Sequence, residues 1–314
     1  MSASTSAVPR WAGARRPVRK PHQSGGLVVP SWPVRLLKGL LLLVCCAAVI
    51  GPFVAVIATS LADADQVNSA GGLVLWPKHP NLDAYRAILA GGVVTRALVV
   101  SLLVTVVGTT LSLTCTALLA YSLSRPGSFA SKPMLLAVLF TLLFTPGIIP
   151  SYLMVKELHL LNSYWSLILP VMISGFNVIV VRAFFMDLPQ DLLDAARIDG
   201  AGERSTLFRI VLPLSKAVLA VVGLFYAVGY WNAFFNALLY LSDNSKWPLQ
   251  LVLRSYVVNN SSLTVDQLSV GTALPPQPAL QMAILVISLV PIAVVYPFIQ
   301  RHFTKGVMLG AVKG

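Results

Sequence analysis

The sequence is poor in charge. Only 11% of its 314 residues are Asp, Glu, Lys or Arg, against roughly 25% in an ordinary soluble domain. So few charges cannot cover a soluble globule of this length, which excludes that class. Acid is the scarcer sign, with 11 Asp and Glu against 23 Lys and Arg and a net charge of +12. Cysteine is nearly absent too. Cys45 and Cys46 are adjacent and Cys115 stands alone, so neither a disulfide framework nor a CxxC metal site is available. His22, His79, His159 and His302 are scattered with no HxxxH pair, so no metal site is read. There is no G-x-x-x-x-G-K-[ST] phosphate loop, no GxSxG and no carboxylate pair at catalytic spacing. The apolar runs hold no ionisable acid or base in their cores. That weighs against proton- or ion-coupled transport, a gated channel and a membrane-embedded enzyme acting on lipid or glycan.

What is present is apolar. Hydrophobic residues make up 56% and the mean hydropathy is +0.79. A membrane helix needs about 20 apolar residues. Six uncharged runs meet that length, at about 39–62, 97–124, 133–155, 158–181, 217–242 and 279–300. Each is apolar all round rather than alternating, so the runs read as helices and not barrel strands. The first is too long for a secretory h-region and is read as an uncleaved span. With the N-terminus inside, 17 basic residues fall on the cytoplasmic side and six outside, which sets both termini in the cytoplasm and accounts for the positive excess without nucleic acid. The expected fold is all-α and integral to the membrane, with six transmembrane helices across 35–300. Residues 1–34 read as a disordered basic cytoplasmic tail, either an orientation signal or a contact for anionic lipid headgroups. Residues 301–314 form a second cytoplasmic tail. Outside, Asn81 or Asp83 is placed to cap a short helix through Ile88.

The cytoplasmic loop at 187–216, DLPQDLLDAARIDGAGERSTLFRIVLPLSK, carries the most information. Asp187 is a candidate N-cap with Gln190 three residues on, as in a capping box. A helix then runs to Ile198, with Gly200 at the position past a helix end where a left-handed residue is needed. A second short helix covers Glu203 to Leu212, and Pro213 separates it from the next span. Two readings stand for this pattern: a rigid knuckle that docks on another surface, or an amphipathic linker lying on the membrane.

This loop resembles the EAA motif of ABC-transporter permease subunits, E-A-A-x3-G-x9-I-x-L-P. Asp194, Ala195 and Ala196 stand at the EAA positions, Gly200 follows after three residues, and Ile210, Leu212 and Pro213 complete the pattern. The Asp199–Gly200 pair, the WNAF at Trp231 to Phe234 and the ending KGVMLGAVKG look like the carbohydrate-importer, maltose-permease-like branch. Two positions depart from the pattern: Asp194 replaces the glutamate, and Ala217 replaces a proline often found after the LP pair. The resemblance implies an ABC type I importer permease fold in an inner membrane, and a transport subunit rather than an enzyme. It implies a second permease subunit, two cytoplasmic ATP-binding cassette subunits and an extracytoplasmic solute-binding protein. This chain then needs no cofactor of its own, since ATP and Mg sit on the partner ATPase. Coupling falls to Asp194, Ala195, Ala196, Asp199, Gly200, Ile210, Leu212 and Pro213, with Asp194 and Glu203 facing basic groups of the partner.

The fifth run combines rings with amides in Tyr226, Tyr230, Trp231, Asn232 and Asn236, and Asn177 adds an amide in the fourth. Rings stack on apolar sugar faces and amides satisfy hydroxyls, so these six residues are candidates for a sugar pathway. The bland reading is interhelical packing with Asn as hydrogen-bond glue. The expected cargo is an oligosaccharide; a polyamine, an amino acid or glycerol phosphate is the alternative.

Overall fold

The computed structural model describes residues 32–259 and 275–311, with side chains to 297. Every element among them is helical. In chain order these are α1 (Trp32–Leu61), α2 (Ala64–Ser69), α3 (Asp83–Leu89), α4 (Val93–Ser124), α5 (Ser131–Leu143), α6 (Ile148–Glu157), α7 (Trp165–Ile168), α8 (Gly175–Met186), α9 (Gln190–Ile198), α10 (Glu203–Thr206), α11 (Leu212–Leu214), α12 (Lys216–Trp231), α13 (Phe234–Tyr240), α14 (Leu249–Leu253) and α15 (Gln277–Ala311). Two π-helical turns lie at Leu207–Val211 and Arg254–Val258.

The chain divides into two units, Met1–Ile50 and Gly51–Gly314. Of the first, the described part is the opening of α1, where Leu40, Leu41, Leu42 and Leu43 are each more than 60% exposed. In the second, Leu136, Leu143 and Ile149 are likewise exposed. Apolar surface of this extent has no place in water and suits hydrocarbon.

Among the described residues, three helices are long and apolar enough to cross a membrane: Trp32–Leu61, Val93–Ser124 and Gln277–Pro297. Two more candidates are bent pairs, Trp165–Val171 with Gly175–Met186 at 52° and Glu203–Leu214 with Lys216–Trp231 at 81°. The runs expected to be single helices are therefore interrupted. The third run breaks between α5 and α6 at Phe144–Gly147, where Pro146 removes a donor and Gly147 takes φ +82°. The fourth begins only at Trp165, because His159 and Asn162 adopt left-handed φ. The fifth breaks at Asn232 and Ala233, inside WNAF. At the ends, residues 32–34, expected in the disordered tail, open α1, and α15 continues through the expected tail boundary to Ala311. The rest of both tails lies outside the described residues.

The second unit is built around α4. It packs against α8 and α12, and α12 packs in turn on α15. The face of α4 toward α12 is a run of small residues at four-residue spacing, Gly108, Ser112 and Thr116. Such a face lets backbones approach closely and supplies hydroxyls as interhelical bonds. Facing it are Tyr226 and Tyr230, also four apart on α12. Ser112 bonds the Tyr230 hydroxyl at 2.7 Å and Thr116 bonds the Tyr226 hydroxyl at 2.7 Å, both buried. The result is a two-rung polar ladder in an otherwise apolar interface.

A second core joins α2, α3 and α14 to the start of α15. Val67, Ile88, Leu249, Leu280 and Ile284 are fully buried there, drawn from α2, α3, α14 and α15. The expected short helix forms at Asp83–Leu89, but its N-cap is Leu82 with no side-chain cap bond; Asn81 only accepts the Asp83 N–H at 3.2 Å ahead of it. Asp243 accepts the Ser245 N–H at 2.9 Å and opens the turn Asn244–Lys246. The Ser245 hydroxyl and N–H hold its carboxyl below the ordinary carboxylate range. This small contribution to the loop is present above the unfolded pKa and is lost as pH falls through the folded one.

Candidate functional site

The loop at 187–216 carries α9 as its first helix. Leu193 and Ala196 are buried, and Asp191, Asp194, Ala195 and Arg197 are exposed. Asp187 does not cap this helix. It terminates α8, and Pro189 occupies the N-cap of α9 with no side-chain bond. The capping box is not formed because Leu188 and Pro189 separate the two helices.

The other end of α9 closes as its glycine requires. Gly200 sits at φ +78°, its N–H bonds Arg197 O at 3.0 Å, and the Ala201 N–H bonds Ala196 O at 2.9 Å. This is the Schellman pair of bonds, with the left-handed residue at C′. Asp199 is the exposed C-cap. Beyond α10, Leu207 and Val211 anchor the π-helical turn in the core while Ile210 and Leu212 pack partly buried against it. Pro213 is exposed and has no N–H to return to the preceding turn, which fits a ladder that has slipped register just before it.

The loop is clamped to the end of α4. Glu203 accepts the Tyr121 hydroxyl through a short hydrogen bond and lies 3.7 Å from Arg125 Nε and 3.8 Å from Arg197 Nη2. Arg125 donates to the Tyr121 hydroxyl at 3.0 Å and stacks over its ring at 4.5 Å. Arg197 also pairs with Asp194 at 3.5 Å. Glu203 therefore bonds within its own chain to Tyr121, Arg125 and Arg197, while its side chain stays 61% exposed. Asp194 keeps an exposed side chain. Tyr121 and Arg125 were not singled out from the sequence; the available signal was a Tyr and an Arg four apart where a span ends. Glu203→Ala is expected to cost about 1–3 kcal/mol, since it strips the Tyr121 hydroxyl and Arg125 of a charged partner. Thermal unfolding of the purified chain would read this, with Glu203→Gln falling between Ala and wild type.

The pathway candidates mostly converge. Asn177, Tyr226, Tyr230, Asn232 and Asn236 line one cleft of about 670 Å³, beside Phe176 and Phe225. Asn177 is in the first turn of α8 and 5% exposed, and its amide makes no hydrogen bond among the described residues. Tyr226 is held by Thr116 and by the Ser174 N–H at 3.0 Å, so its ring is fixed as a wall. Asn232 donates its side-chain amide to Val228 O at 2.9 Å, a carbonyl that also accepts the Asn232 backbone N–H at 3.1 Å. Trp231 is not with them. It is 4% exposed in the second core and donates to Ser288 O at 3.2 Å. One helical residue beyond Tyr230, it turns about 100° away.

A cleft of rings and amides with no ionisable side chain lining it suits a polyhydroxylated solute. Residues 112–309 match the family described as binding-protein-dependent transport system inner membrane component. The chain is 44% identical over 280 residues to the polygalacturonan/rhamnogalacturonan transport system permease protein YtcP of Bacillus subtilis, covering 89% of this chain and 97% of that one. It is 32% identical to the arabinooligosaccharides transport system permease protein AraQ of Halalkalibacterium halodurans, covering 68% and 72%. A crystal structure of a bacterial ABC transporter involved in the import of the acidic polysaccharide alginate matches with a TM-score of 0.79 at 27% identity, covering 87% of this chain and 99% of that chain. With its motif loop, cleft and helical frame in agreement, the chain belongs to the binding-protein-dependent transport system inner membrane component family, the permease subunits of ABC importers.

Proposed function

We propose that this chain forms half of the membrane pathway of an ATP-driven importer for an acidic oligosaccharide. It crosses the inner membrane six times with both termini in the cytoplasm, the interrupted helices completing the third to fifth spans. Its partners are a second permease subunit, two cytoplasmic ATPase subunits that hold ATP and Mg, and an extracytoplasmic solute-binding protein. Asp194, Ala195, Ala196 and Gly200 present the knuckle to an ATPase, and Ile210, Leu212 and Pro213 join it to the fifth span.

The observation that carries the sugar reading is the cleft of Tyr226, Tyr230, Asn177, Asn232 and Asn236. Acidity is supported by Arg254, which does not line the cleft itself but whose guanidinium lies 5.0 Å over the ring of Phe234, a lining residue. No carboxylate pairs with it among the described residues. A cation beside stacking rings favours a uronate over a neutral sugar. The polygalacturonan/rhamnogalacturonan permease and the alginate importer fit the same class.

The test uses the assembled complex in liposomes, with its binding protein loaded in turn with oligogalacturonate, neutral arabino-oligosaccharide and glycerol 3-phosphate. Oligogalacturonate should stimulate ATP hydrolysis and enter the lumen, and Arg254→Ala should reduce that uptake about three- to thirtyfold. The glycerol phosphate arm is included because a glycerol-3-phosphate permease of Yersinia pestis is 35% identical over 161 residues. Stimulation by glycerol 3-phosphate and by neither sugar would overturn the reading.

A further inference from the structure

Below the membrane-facing frame, the end of α4, the turn at 125–130, the start of α5 and α8 enclose a second pocket of about 480 Å³. That is within the roughly 300–1,000 Å³ of small-ligand sites. Three cations line it, Arg125, Lys132 and Arg182, together with the Ser131 hydroxyl, and no carboxylate does. Arg182 spends only its Nε on Leu123 O, at 2.9 Å, leaving the rest of its guanidinium for another partner. Lys132 is exposed and has no ion pair among the described residues. Glu203 approaches Arg125 from the loop side and is shared with Arg197, so it offsets part of one charge. α5, 13 residues long, opens at this pocket with no side-chain cap, and its positive end adds to the same field.

Two apolar features flank this anion pocket. Phe129, at the tip of the turn, is 94% exposed, an aromatic ring where a membrane interface would hold one. Leading away from the pocket, α5 presents Leu136, Phe140 and Leu143 outward. A phosphate in the pocket would have its own hydrocarbon laid along that face.

We infer that this pocket binds the phosphodiester headgroup of an anionic phospholipid of the cytoplasmic leaflet, with Lys132 and Arg182 as its principal cations, Phe129 as the interfacial anchor and the outer face of α5 as the bed for the acyl chains. The assignment rests on the proposed topology, which sets this end of the bundle at the cytoplasmic surface. Because Arg125 also touches Glu203, the occupied pocket abuts the clamp that holds the coupling loop.

The test is lipid retention. The full chain is reconstituted in nanodiscs of mixed phosphatidylcholine and phosphatidylglycerol, and the lipids that stay bound on release are identified by native mass spectrometry. Phosphatidylglycerol should be retained over phosphatidylcholine, and Lys132→Gln with Arg182→Gln should lower that retention about thirtyfold. Because Arg182 also supports the end of α4, the single variants Lys132→Gln and Phe129→Ser, both at exposed positions, are measured separately and should each weaken retention. Lys156→Gln, outside the pocket, should leave it unchanged. Equal retention in the Lys132 and Phe129 variants would overturn the site. Displacement of phosphatidylglycerol by millimolar inorganic phosphate would also overturn it, by making a free anion the ligand. One-sided labelling of Phe129→Cys reports the topology independently: modification from outside would sink the topology, with lipid retention still judging the pocket.

Discussion

Gly200→Trp is expected to leave the chain folded and inserted but to abolish coupled uptake. The position explains both halves. A Cβ on Gly200 would meet no atom within 4 Å, so the substitution clashes with nothing inside the chain. Its internal cost is the left-handed backbone, where a non-glycine residue is disfavoured by roughly 1–2 kcal/mol. Outside, an indole would stand at the corner of the knuckle next to exposed Asp199. A block at the centre of a docking surface costs about 2–4 kcal/mol, or about thirty- to thousandfold in apparent affinity. Uptake and ATP hydrolysis are measured together in the reconstituted complex, with hydrolysis becoming insensitive to loaded binding protein. Gly200→Ala separates the contributions: it carries the backbone cost with little bulk and should retain most transport. Normal uptake by Gly200→Trp would eliminate the knuckle as the docking point.

Gly108→Val is expected to be the most damaging single change inside the bundle. A Cβ at Gly108 would sit 2.8 Å from two ring carbons of Tyr230, closer than side chains approach. The ring cannot retreat cheaply, because its hydroxyl bonds Ser112 at 2.7 Å and lies 3.4 Å from Ile168 O. Overpacking of this kind costs about 1–3 kcal/mol, and losing the Ser112 bond adds about 1–3 kcal/mol for a buried hydroxyl. The thermal midpoint in detergent and the folded yield should both fall, with Gly108→Ala intermediate. Gly108→Ala combined with Tyr230→Leu should recover part of the loss, because removing the ring removes the clash. Additive destabilisation in that double variant would show that the two residues are not coupled.

Legibility differed along the chain for identifiable reasons. The end of α9 was readable because its geometry is local: a Schellman ending needs a left-handed residue at one position, and glycine at 200 meets that need. The interruption in the fifth run was not read, since averaged hydropathy is blind to where a backbone ladder stops, whereas the third carried a kink signal in its proline and glycine, Pro146 and Gly147. Asn232 and Ala233 gave none. The roles of Glu203 and Trp231 depended on neighbours remote in sequence, Tyr121 at 82 positions' distance and Ser288 at 57.

By itself the sequence determined the environment and the family. A chain with 11% charge and long all-round apolar runs must lie in hydrocarbon, and its motif spacing is a property of contiguous residues. Only the tertiary structure decided which polar groups face one another. It put Asn177 of α8 with Tyr226 and Tyr230 of α12 around one cleft and sent Trp231 to another core. It brought Glu203 to the Tyr121 hydroxyl, and it gathered Arg125, Lys132 and Arg182 into one pocket. The division follows from the range of the forces. Burial in lipid and helix closure act on neighbours along the chain, whereas hydrogen bonds and ion pairs act over a few ångströms between residues that only packing brings together.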